Sequence, residues 1–131
     1  MRRLNILILP LAALGLLVAA EPAAAQRDVA LAAEYNFSAA EYNKEAELLV
    51  GLDKQIGGVT DLVKGCGLLD EKLTHLKLAE DLLGRMERSA KDLKRRKENE
   101  SAANLRKNTL TAIDVTQADI TRLCSSLPTT S

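Results

Sequence analysis

The sequence predicts an all-α fold: a small antiparallel bundle of about three helices, with heptad-like packing and one disulfide. Three observations carry that expectation. Outside the first 25 residues, proline is absent until Pro128, and the chain is rich in Ala, Leu, Glu, Lys and Arg, all good helix formers. Apolar residues recur every seven positions in two long series. Two cysteines, Cys66 and Cys124, stand far apart without a C-x-x-C arrangement, which favours a structural bridge over a redox or metal motif.

The N-terminus comes first. Met1-Arg2-Arg3 is a short positive stretch, Leu4 to Ala20 is apolar apart from Asn5, and Ala23-Ala24-Ala25 precedes Gln26. This three-part pattern is that of a secretory signal peptide, residues 1–25, cleaved before Gln26. As a helix, its apolar run would reach only about 26 Å, short for a bilayer, so no stable membrane span is expected after cleavage. The Ala-rich signal points to a bacterial periplasmic or secreted protein. In a eukaryotic secretory route Asn36-Phe37-Ser38 and Asn99-Glu100-Ser101 would be glycosylation sites.

The mature chain is one domain. Removing Arg2, Arg3 and Glu21 from 18 basic and 18 acidic residues leaves 16 and 17, a net charge of −1. So balanced a charge argues against broad electrostatic binding to nucleic acid.

Residues 26–37 form an N-terminal segment expected to be partly helical, and residues 38–124 the bundle domain. Ala32-Ala33-Glu34-Tyr35-Asn36 is repeated as Ala39-Ala40-Glu41-Tyr42-Asn43. The series Tyr35, Tyr42, Leu49, Ile56 and Val63 continues from it. A second series runs Leu62, Leu69, Leu76, Leu83 and Ala90, with Ala79, Met86 and Leu93 as partners. The two are out of phase by one residue, and the slip falls among Gly57, Gly58, Gly65 and Gly67, which marks a helix boundary within residues 57–67.

Ser38 and Glu41 have the spacing of a capping box, with Phe37 and Tyr42 placed as its hydrophobic staple, so a helix is expected from 39 to about 56. A second is expected over 68–95. Asn99 and Ser101 read as the next turn, with Ser101 as N-cap. A third helix follows to about Cys124, burying Leu105, Leu110, Ile113, Ile120 and Leu123. The polar tail 125–131 is expected to be disordered.

A hairpin test bears on the disulfide. Residues equidistant from a turn face each other, and the midpoint of Cys66 and Cys124 is residue 95. A turn at 99 would leave the two cysteines about 12 Å out of register, beyond the reach of a disulfide. Either the turn begins earlier, within Lys94–Lys97, or the chain near Cys66 leaves its helix through Gly65 and Gly67.

No chemistry-bearing constellation stands out. His75 is the sole histidine, without partners at metal- or haem-binding spacing, so no metal and no cofactor is expected. The carboxylates Glu41, Glu45, Glu80 and Glu87 sit at helical spacings with cations and read as exposed faces. No nucleophile–base pair is visible, so the chain is read as a non-enzyme. Two surfaces are candidates for contact. Lys91, Lys94, Arg95, Arg96 and Lys97, followed by Arg106 and Lys107, could meet an anionic partner, although Asp92, Glu98 and Glu100 dilute the patch. Tyr35, Phe37 and Tyr42 are either core and staple or an exposed recognition edge.

The functional expectation is an exported, non-catalytic protein that acts by protein–protein interaction: an adaptor, accessory subunit or chaperone-like binder in the cell envelope, with an unknown protein partner. A small inhibitor or immunity protein that blocks an envelope enzyme or toxin is the alternative. The heptads pack either within one chain or against a second copy.

Overall fold

The structure is a computed structural model that describes residues 22–127. Residues 1–21 of the expected signal peptide 1–25, and residues 128–131 of the expected tail 125–131, lie outside the described residues. Three helices follow one another: α1 (Pro22–Gly58), α2 (Leu62–Asp92) and α3 (Arg96–Cys124). Consecutive helices run antiparallel, and α2 is central, packing along α1 on one side and α3 on the other. The expected all-α three-helix bundle is what forms, and Cys66 and Cys124 are joined in it.

α1 is unbroken through Ser38, which corrects the expected helix start. The Ser38 side chain is fully buried, and its hydroxyl caps nothing. A capping box needs a non-helical N-cap; here the good helix formers upstream and the buried Ala32 carry the helix past that point. The expected cleavage point, between Ala25 and Gln26, falls in the first turns of α1. The staple is absent too: Tyr42 turns inward, 1% exposed, while Phe37 stands out at 61%.

The α1–α2 boundary falls within the region marked by the glycines and the phase slip, but it is tighter. Only Val59, Thr60 and Asp61 are non-helical. Asp61 is the N-cap of α2, its carboxylate accepting from the Val63 amide. Gly65 and Gly67 therefore lie inside α2, which starts six residues earlier than expected. Gly65 has a packing reason: a Cβ there would sit 3.3 Å from a methyl of Val59, so glycine lets the linker fold against the helix.

The second boundary is Leu93, Lys94 and Arg95, not Asn99 and Ser101. The Lys94 amide donates to the Lys91 carbonyl and the Arg95 amide to the Ala90 carbonyl, with Lys94 at φ 58°. This is a Schellman motif, with a lysine where glycine is usual. Of the two ways to reach the disulfide, the early turn is the one used, and Cys66 stays helical. Asn99 serves α3 differently: its side-chain amide donates 2.9 Å to the Glu87 carbonyl of α2.

The heptad series form the core. Tyr42, Leu49, Leu76, Ala79, Leu83, Met86, Ala102, Ala112 and Ile113 make one cluster, with Tyr35, Leu73, Leu82 and Leu105 packed on it. A smaller cluster of Leu52, Ile56, Leu68 and Leu69, joined by Val59, Ile120, Leu123 and Cys124, closes the disulfide end. The ends of the series are outside: Val63 is 65% and Leu62 45% exposed. In α3 the expected Leu110 is also exposed, and Thr109 and Thr116 take the inward positions. The Thr109 hydroxyl donates to the Leu105 carbonyl one turn back, so the helix itself satisfies it.

Candidate functional site

Two charged features organise the bundle, and sequence reading placed only one of them. The first is a set of interhelical ion pairs. Lys72 of α2 is buried, and its ammonium lies 2.7 Å from the Asp53 carboxylate of α1. Further along the same interface His75 Nδ1 pairs with a Glu45 carboxylate oxygen. On the other side of α2, Arg106 of α3 reaches Glu80 at 2.7 Å and Glu87 at 3.4 Å. Its guanidinium crosses Gly84, where a Cβ would lie 3.8 Å from the Arg106 Cζ. Hydrogen bonds to Glu80 and Glu87 push the Arg106 pKa further up.

Glu45, Glu80 and Glu87 are thus interhelical partners rather than free exposed faces, and Arg106 belongs to the half-exposed α2–α3 seam rather than to the basic tip. The missed signal was distance. Residues 26 and 30 positions apart meet only when helices pair, and i,i+4 patterns within one helix do not disclose it. A lysine within an apolar series, Leu68-Leu69-Asp70-Glu71-Lys72-Leu73, was the available hint.

The second feature is the basic tip. Lys91, Lys94 and Lys97 are exposed, around the Schellman turn. Arg95 is half-buried beside Tyr35, and Arg96 pairs with Glu100 at 3.0 Å. The five cations therefore do not form one uniform patch: the three lysines extend outward, and the two arginines are engaged locally. Burial and the nearby Glu98 push the Tyr35 hydroxyl pKa up, against an opposing pull from Arg95.

The three aromatics separate. Tyr35 and Tyr42 are seven apart and face inward together; Phe37 is two beyond Tyr35, which turns it about 200° around the helix. Only Phe37 is available to a partner. Tyr42 is buried with its hydroxyl unpartnered, and burial pushes its pKa up to about 12.

A shallow groove runs between α1 and α2, lined by Lys44, Glu47, Leu48, Gly51, Leu52, Gln55, Glu71 and His75. Among the described residues, no group of three or more His, Cys, Asp or Glu is placed to hold a metal ion. Among them, too, no helix is long and apolar enough to cross a membrane. The chain matches no family model, no curated protein and no solved structure.

Proposed function

We propose that this is an exported, non-catalytic interaction protein of the periplasm or secreted fraction, an adaptor, accessory subunit or chaperone-like binder, whose basic tip meets an acidic protein surface. The observation that carries the reading is Lys94. It holds φ 58°, a conformation that costs a residue with a Cβ roughly 1 kcal/mol and glycine almost nothing. A lysine in that turn leaves an exposed cation between the two helix ends, with exposed Lys91 and Lys97 on either side of it in the chain. The disulfide is compatible with an oxidising compartment, which supports export.

Lys94→Gly separates charge from fold, since glycine suits the turn. Combined with Lys91→Glu and Lys97→Glu, it should leave the bundle intact and abolish salt-sensitive capture of a partner from envelope extract. Capture that persists unchanged would exclude the tip. N-terminal mass spectrometry of the purified protein should show Gln26 as the first residue; a product that retains Met1 in the membrane fraction would remove the export reading.

A further inference from the structure

We infer that the α1–α2 groove is a self-association surface, and that two copies of this chain pair through it about a two-fold axis near Leu48. Most heptad positions are spent inside the single chain, which leaves another face for a second copy. The groove flank offers one. Leu48 is 51% exposed; Phe37 is 61% exposed and stands three turns away on the same stripe; and Leu78 of α2 is 47% exposed one turn past His75. Gly51 forms the floor. It sits in the interior of a helix, where glycine costs about 1 kcal/mol relative to alanine, and a Cβ there would meet nothing within 4 Å. Nothing inside the monomer accounts for that glycine, whereas a close approach from outside does.

Charge selects a second copy as the occupant. The pairs Glu45–His75 and Asp53–Lys72 set the α1–α2 register, and they place Glu71 about level with Gly51. Lys44, whose side chain is 71% exposed and pairs with Glu41 of its own helix at 3.0 Å, lies seven positions before Gly51, about 10 Å along α1. A two-fold axis at Leu48, midway between them, brings Lys44 of each copy against Glu71 of the other and stacks Leu48 on its symmetry mate. An isologous interface needs this self-complementarity, with one residue meeting another and the same pair repeated across the axis. The near-neutral charge of the chain opposes no such approach.

The test is sedimentation equilibrium of the purified oxidised protein from micromolar to millimolar concentration, with circular dichroism as the folding control. A reversible dimer is expected. Leu48→Glu, at an exposed position, should yield a monomer of unchanged helicity. Lys44→Glu should weaken association on the order of tenfold, and adding Glu71→Lys should restore it, because the charges again oppose across the axis. A monomer at every concentration overturns the inference. So does a dimer indifferent to Leu48→Glu and to the charge swap, or a photo-crosslinker at position 48 that captures only a different protein.

Discussion

At the end of the bundle where α1 meets α2, the chain is tied by a covalent bond and a small apolar cluster; at the opposite end, where α2 meets α3, a three-residue turn of charged character does the same work. Each end carries one helix terminus that no turn holds: the end of α3 at the first, the start of α1 at the second. At the first end the last turn of α3 is held by more than packing. The four buried residues of its cluster, Leu52, Ile56, Leu68 and Leu69, supply little area, and the Cys66–Cys124 bridge, with Cα atoms 5.9 Å apart, fastens the last turn of α3 to the first turns of α2. At the tip, chain continuity already keeps α2 and α3 together. Backbone hydrogen bonds of the Schellman turn and the Asn99–Glu87 bond suffice, and the surface is left free for charge. Covalent closure joins α2 and α3 at the end where no turn does.

The largest test of that contrast is to remove the bridge. It closes a loop of 58 residues, worth up to about 4 kcal/mol by loss of chain entropy in the unfolded state. Reduction, or Cys66→Ala with Cys124→Ala, should lower the melting temperature by roughly 15 °C or more. Hydrogen exchange should rise first at the C-terminal half of α3 and the start of α2, and last near Met86 and Ala102. Uniform loosening would mean that the two ends are not independent.

Next in size is the Lys72–Asp53 pair. Lys72→Ala leaves a carboxylate with only 23% of its side chain exposed and without its cation. A fully buried pair broken in this way costs about 3–5 kcal/mol; with partial solvent access, about 2 kcal/mol is expected in chemical denaturation. Lys72→Met should recover part of it through packing.

Helix caps sharpen the comparison further. Asp61→Ala should cost about 1 kcal/mol, because it removes the acceptor at the start of α2. Ser38→Ala, at the site where the sequence signals a cap, should be neutral or stabilising, since it deletes a buried hydroxyl without a partner.

The effect that is smallest at neutral pH appears only in alkali. Tyr42 has a folded pKa of about 12, against the usual value near 10. A raised pKa on an acid means that the folded state prefers the neutral phenol. The stabilisation is complete below pH 10 and is lost as pH rises from about 10 to 12, because the unfolded chain releases its proton first. Tyr42→Phe should be neutral at pH 7 and should flatten the melting-temperature profile in that window relative to the parent protein.

How much of this was legible in the sequence differs by element. The helices, the core series and the disulfide could be read because period and composition are local properties: Leu69, Leu76, Leu83 and Ala90 declare one face wherever the helix goes. The turn positions could be read only in part. Asn99 and Ser101 have the chemistry of a turn, yet that chemistry is equally served by a side chain bonding to a neighbouring helix, and Asn99 takes that option. Ser38 offered a cap that a continuous helix had no need to use.

By itself, then, the sequence determined the class of fold, the number of helices, the inward faces of α1 and α2 and the pairing of the two cysteines. Each follows from helical periodicity or from having only one possible partner. Tertiary structure decided the register. It placed the turn at Leu93–Arg95, brought Arg106 across Gly84 to Glu80 and Glu87, and set Lys44 and Glu71 on either side of Leu48. These outcomes depend on which residues of separate helices stand level. That is settled by the sum of packing over the whole interface, a quantity no single stretch of sequence contains.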